Sequence, residues 1–137
     1  MTENVISRNL VADNQRTPIT ADLFGVYFPL QLEPFVFAIA SKLSDDYSGG
    51  YWHFYQLGNG GFYMAPDSDG QFQVASENGH ECFMTADALG ITTTLYAYSH
   101  LSFGQSEFAD VCGEHFHRLR EYMFGHAEAG NILRIID

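Results

Sequence analysis

Hydrophobic and polar positions alternate in short runs between residues 51 and 76, and apolar positions recur at helical spacing on both sides of that stretch. Tyr51, His53, Tyr55 and Leu57 interleave with Trp52, Phe54 and Gln56, and Phe62 and Met64 interleave with Tyr63 and Ala65. Between the two runs stands Gly58-Asn59-Gly60-Gly61. Asn-Gly predicts a tight hairpin with a primed turn, which needs positive φ at both central residues. Both faces of these strands are aromatic or apolar, so one face should be covered and the other partly sheltered. Asp67-Ser68-Asp69-Gly70 reads as a turn, and Gln71 to Ser76 alternates as a third strand. The expectation is a three-stranded antiparallel meander, closed by another turn at Glu77-Asn78-Gly79-His80.

Helical periodicity frames this sheet. Residues 1 to 20 are polar and weakly periodic and predict a loosely ordered arm or a strand, with a single domain over 21–137. Phe24 to Leu32 is an apolar turn region broken by Pro29. Glu33 to Leu43 fits a helix with Pro34 in its first turn and an apolar stripe of Phe35, Val36, Ile39, Ala40 and Leu43. After Thr85, a candidate N-cap, the stretch Ala88 to Phe103 has no acidic or basic residue except His100. A helix apolar nearly all round belongs in the middle of a fold. Its Gly90 and Thr92-Thr93-Thr94 are poor helix formers and predict tight packing, with hydroxyls returned to backbone carbonyls. Glu107 to Phe124, capped by Ser106, repeats Phe108, Val111, Cys112, His115, Leu119 and Tyr122 at helical spacing. The tail, Ala127 to Ile136, fits a short helix, or an edge strand over Ile132 to Ile136. The class is α+β: a small antiparallel sheet packed with about four helices, one central and buried.

Charge narrows the partners. The 137 residues hold 17 acids against six Lys and Arg, a formal net charge of -11. No Lys or Arg lies between Lys42 and Arg118, an interval holding ten acids. Direct nucleic-acid binding needs a basic footprint, and so does an anionic membrane surface. Neither is expected; a basic protein partner, or a groove that usually holds DNA, stays open. No apolar run reaches the ~20 residues of a membrane helix, and the start has no basic segment followed by an apolar one, so the chain is expected to stay in the cytoplasm. The two cysteines, Cys82 and Cys112, read as reduced thiols.

Candidate chemistry is sparse. Cys112 and His115 can share a helix face, but His117 points elsewhere and nothing joins His80 and Cys82 to them, so no metal site is assigned. Cys82, after His80 and Glu81 and before a helix start, is the better thiol nucleophile. Asp67-x-Asp69-Gly70 is too short for a calcium loop. His100 and His126, at helix ends, read as structural hydrogen-bonders. No catalytic residue, cofactor or metal ligand is assigned.

Three blocks then carry a resemblance: GGYWHFYQLGNGGFYMAP (49–66), TADALGITTTLYAYSHLSF (85–103) and HFHRLREYMFGHAEAGNILRIID (115–137). Together they resemble the ArdB/KlcA antirestriction family of plasmids and other mobile elements, from about Phe24 onward. The resemblance implies a compact, non-enzymatic α+β domain that protects incoming DNA from type I restriction-modification enzymes. Its direct partner would be that complex or an associated host protein. Positions matching the family wording are Tyr51, Trp52, Tyr55, Asn59, Gly60, Gly61, Asp87, Gly90 and His100, most of which by physics are turn and core positions. The acids sit in separated turns and on helix faces, a poor imitation of B-DNA, with its charge every ~1.7 Å of axis. A protein contact by Asp45, Asp46, Asp67, Asp69, Glu77 and Glu81 is the expectation. The alternative classes are a small Cys82/His-dependent hydrolase or transferase and a generic acidic adaptor.

Overall fold

The computed structural model describes residues 5–136. In chain order these form β1 (Arg8–Leu10), a 3-10 turn (Asp13–Gln15), α1 (Arg16–Phe24), a π turn (Phe28–Leu32), α2 (Glu33–Leu43), β2 (Trp52–Leu57), β3 (Phe62–Pro66), β4 (Gln71–Ala75), β5 (Glu81–Thr85), α3 (Ala86–Leu101), α4 (Glu107–Met123) and α5 (Ala129–Ile136). Two small antiparallel sheets result, β1-β2-β3 and β4-β5. The α+β class and the small antiparallel sheet stand.

The membership of the sheet differs from the expected meander. Its third strand is β1, from the segment expected as a loose arm or a strand, with Asn9 opposite Gln56, while residues 16–20 of that segment open α1. Residues 71–75 pair instead with β5, Val74 opposite Cys82. Only the first four residues of the expected arm lie outside the described residues. Residues 8–10 are all exposed, so their side chains carry no alternating signal; their pairing comes from backbone bonds such as Val11 N–H to Phe54 O at 2.8 Å. The tail is the helix, and its edge-strand alternative falls away.

The hairpin is correct and its turn is not the primed one. Within the turn, Gly60 alone has positive φ, at 89°. Gly60 N–H donates to Leu57 O at 3.0 Å and Leu57 N–H to Gly61 O at 2.8 Å, a three-residue loop with glycine in the left-handed position. Asn59 keeps negative φ because its amide is committed. Its Oδ1 accepts from Gly61 N–H at 3.0 Å, and its Nδ2 donates to Arg118 O at 2.9 Å, tying the hairpin tip to α4.

α3 is the central buried helix, with both expected caps in place. Thr85 accepts from Ala88 N–H at 3.3 Å, and Ser106 accepts from Ala109 N–H at 3.1 Å at the head of α4. The reason for Gly90 is now visible. A methyl there would lie 2.4 Å from Ala65 Cα and from the Met64 carbonyl oxygen, so α3 and β3 touch backbone to backbone. Pairing with β2 uses the inward groups of Gly61, Tyr63 and Ala65, leaving Phe62, Met64 and Pro66 on the free edge. Pro66 has no N–H to leave unpaired. Tyr98 OH donates to Phe62 O at 2.8 Å, and Thr94 Oγ1 bridges Met64, 3.4 Å from its O and 3.5 Å from its N. Helix hydroxyls thus close the open edge of the sheet. Thr92 and Thr93 return their hydroxyls to Ala88 O and Gly90 O, as expected.

Gly90→Ala is expected to destabilise the fold by about 3 kcal/mol, because neither backbone can yield to the added methyl. Gly113→Ala on α4 is the control. Its new Cβ would meet nothing nearer than Ser102 Cβ at 3.9 Å, so stability should hold or rise by roughly 0.5 kcal/mol. Thermal melts of the two variants decide the matter, and a wild-type melt for Gly90→Ala would refute the close-contact account.

Candidate functional site

The face of the β1-β2-β3 sheet bearing Tyr55 and Tyr63 holds a polar knot built from four distant segments. Arg8 comes from β1, Tyr63 from β3, Asp87 from the first turn of α3, and His126 from the corner before α5. Arg8 Nη1 lies 2.9 Å from Asp87 Oδ1 and 3.1 Å from Tyr63 Oη, and its guanidinium sits 4.3 Å over the Tyr55 ring. Tyr63 OH donates to Asp87 Oδ1 at 2.7 Å. Tyr55, Tyr63 and Tyr122 stack in a row, with centroids 5.0 and 5.8 Å apart. His126 Nε2 meets Asp87 Oδ2 at 2.8 Å, and Glu128 N–H donates to His126 Nδ1 at 3.0 Å. Nδ1 is therefore the acceptor, and Nε2 carries the proton given to Asp87.

Electrostatics agrees with the geometry. Burial alone would raise the Asp87 carboxyl, but the hydrogen bonds from His126 and Tyr63 and the charge of Arg8 outweigh it and hold it below the usual carboxylate value. Burial and the Asp87 charge push the Tyr63 phenol far up, so it stays a neutral donor. Both His126 nitrogens are committed within the knot, which leaves neither to abstract a proton from a substrate. The arrangement joins the two ends of the chain to the head of the central helix. Glu128 adds a second tie, accepting from Thr85 N–H at 3.0 Å and from the Thr85 hydroxyl.

The thiol and histidine candidates stand apart. Cys82 is on β5, half-buried; burial pushes its thiol up, with Arg134 opposing. Burial pushes the Cys112 thiol to about 12, and burial, then Arg118, lowers His115 to about 4. Cys112 and His115 face the core, His115 against the rings of Phe24 and Tyr98, while His117 and His80 are exposed. A raised thiol pKa means little thiolate near neutral pH, the opposite of an activated nucleophile.

All six acidic contact candidates are exposed. Asp67 N–H donates to Tyr51 O at 2.8 Å and Gln73 N–H to Asp46 Oδ2 at 2.8 Å, so the loops carrying Asp45, Asp46, Asp67 and Asp69 run side by side. Asp67 also meets His53 at 3.1 Å, and Glu77 pairs with Lys42. Glu81 opens β5 opposite Ala75. Among the family-wording positions, Tyr55 and Asp87 enter the knot. Tyr51 accepts from Arg16 Nη2 at 2.6 Å, and buried Trp52 donates to Tyr47 Oη at 3.0 Å. Gly61 packs close to Arg118 Cβ, and exposed His100 lies against Phe35 at 4.9 Å. Sequence reasoning missed Arg8, Tyr63 and Tyr122. Arg8 sits in an unpatterned segment, and the tyrosines read as ordinary sheet and helix aromatics.

With this geometry in view, the likenesses are clear. The antirestriction protein family matches residues 45–137. Antirestriction protein KlcA of Escherichia coli is 36% identical over 135 residues, covering 96% of this chain and 95% of that protein. A second protein of that name and organism is 41% identical over 132 residues, with 93% and 90% covered. The uncharacterised protein YafX of Escherichia coli K12 is 42% identical over 131 residues, with 93% and 85% covered. A solved structure superposes with a TM-score of 0.90 at 37% identity, spanning all of this chain and 99% of the other. That work describes KlcA and ArdB as a novel fold with antirestriction activity against type I DNA restriction systems in vivo but not in vitro.

Two acid-sensitive groups follow from the site. Asp87 is held low in the fold, so its stabilisation is present above the ordinary carboxylate range and is lost as pH falls through the folded value. His115 is held low as well, and the unfolded chain takes up its proton first. Stability is therefore lost as pH falls from about 6.5 towards about 4, by roughly 3 kcal/mol for the His115 shift. Urea unfolding at pH 7 and pH 4 should show a smaller loss for His115→Leu than for wild type. Asp87→Asn should cost about 2 kcal/mol at pH 7, with the gap narrowing in acid. Parallel pH profiles for all three proteins would contradict both assignments.

Proposed function

We propose that this chain, which belongs to the antirestriction protein family, protects incoming DNA from type I restriction-modification systems by binding protein rather than by catalysis. The observation that carries the reading is the likeness along the whole chain, in sequence and in fold, to proteins of that activity. Binding is favoured over chemistry by the state of the reactive groups: both thiols are raised, His115 is buried in neutral form, and His126 is saturated. DNA mimicry is disfavoured because three of the six candidate acids already meet His53, Lys42 or the Gln73 backbone. A relative that acts in vivo but not in vitro suggests a component or step missing from the purified reaction. For this chain we take the partner to be the restriction complex in its cellular state or a host protein that acts with it. The exposed acids would then steer a basic partner surface towards the domain.

Unmodified phage should plate more efficiently on a type I restricting strain when this protein is expressed, and no better on a type II strain. Cys82→Ser with Cys112→Ala should leave protection intact. Neutralising or reversing Asp45, Asp46, Asp67, Asp69, Glu77 and Glu81, with Asn at 46 and 67 to keep acceptors there, should weaken it. Full protection by that folded variant would remove the acidic contact from the account.

A further inference from the structure

The corner between α1 and α2 carries features that the knot and the acidic turns do not use. The segments Asp13–Phe24 and Phe28–Leu43 meet at 96°. Gly25, with φ of 63°, makes the bend, and the π turn with Pro29 follows it. The corner opens a cleft of about 610 Å³ floored by Phe28 and Phe54, with Thr17 and Thr20 on the α1 wall and Glu33 at the head of α2. π turns of this kind recur at functional sites. Val26, Tyr27 and Leu30, three of the chain's large exposed hydrophobics, stand at this corner.

The two charges on the cleft wall are not equivalent. Arg16 is held by one end: its Nη2 donates to Trp52 O and Tyr51 Oη at 2.6 Å each and its guanidinium covers the Phe54 ring at 4.2 Å, while its buried Nε, 3.4 Å from Asp13, makes no hydrogen bond. Glu33 is half-buried, and among the described residues it makes no ion pair. Burial raises its carboxyl, with Arg16 opposing. A half-buried carboxylate with Arg16 nearby but no direct ion pair, beside an aromatic floor and an apolar rim, can still take a basic side chain with an apolar stem.

We propose that the α1–α2 corner is the anchoring surface for a basic protein partner, which inserts an Arg or Lys side chain into the cleft beside Arg16 to reach Glu33 and packs apolar neighbours on Val26 and Leu30. This deepens the antirestriction reading and rests on it for its biological readout. The acids of the distant turns steer the approach, and the corner holds the partner. Arg16 shows the chemistry within this chain, since its own guanidinium already lies on the Phe54 ring.

The probe is the tripeptide acetyl-Leu-Arg-Leu-amide, with its citrulline counterpart as an uncharged control of the same shape. In NMR titrations of the full chain, the arginine peptide should shift the amide signals of Thr17, Thr20, Phe28 and Phe54. Affinity should fall about tenfold with the citrulline peptide or with Glu33→Gln, the loss of one charge-assisted contact. Equal binding of both peptides, or shifts confined elsewhere, overturns the proposal. In cells, Glu33→Lys and the exposed pair Val26→Ser/Leu30→Ser should abolish protection while keeping the wild-type melt. If wild type protects and these folded variants protect equally, the corner is wrong and the antirestriction reading survives. If wild type does not protect, that reading fails, and the peptide titration alone decides the surface.

Discussion

The contact of α3 with β3 at Gly90 sets the position of everything else. A helix normally stands off a sheet by the depth of its side chains. Here the missing Cβ lets one backbone rest on the other, within 2.4 Å of where a methyl would go. That approach brings Thr94 and Tyr98 to the unpaired carbonyls of β3, and brings Asp87, at the head of the same helix, to Tyr63. One glycine therefore couples closure of the sheet edge to assembly of the polar knot.

The knot is a fastening rather than a reactive centre. Its carboxylate is shared among Arg8, Tyr63 and His126, each supplied by another segment of the chain. Buried polar clusters demand such partners, because a single orphaned member costs more than a satisfied one contributes. The consequence is mechanical: β1 near the start and the α4–α5 corner near the end are both held at the N-terminus of α3.

The proposed function then rests on what this fastened core presents outward. Asp45, Asp46, Asp67 and Asp69 are exposed on loops that run side by side, and no Lys or Arg lies in sequence between Lys42 and Arg118. Such a surface sets a long-range field and a rate of encounter. Holding a partner needs a concave, partly desolvated place, and the cleft at the α1–α2 corner has an apolar floor and an unpaired carboxylate. On the proposed reading, the two roles, steering and anchoring, fall on different parts of the molecule.

The chain's own periodicity determined α2, α4, the hairpin and the buried character of α3, because each is written in consecutive residues whose burial follows a local repeat. Thr85 and Ser106 were legible as caps for the same reason. The six acids were legible as exposed, and Gly90 as a site of tight packing. Tertiary structure decided what no local repeat encodes. Exposed Arg8–Leu10 became the third strand through backbone bonds, which carry no side-chain signature. Residues 71–75 went to β5 rather than β3, since Thr94 and Tyr98 of α3 had already taken β3's free edge. Arg8 met Asp87 across 79 positions of sequence, and Glu33 faced a cleft made by a bend at Gly25. Charge and hydropathy are properties of a residue, whereas a knot or a cleft is a property of distances between residues far apart in the chain, and only packing sets those.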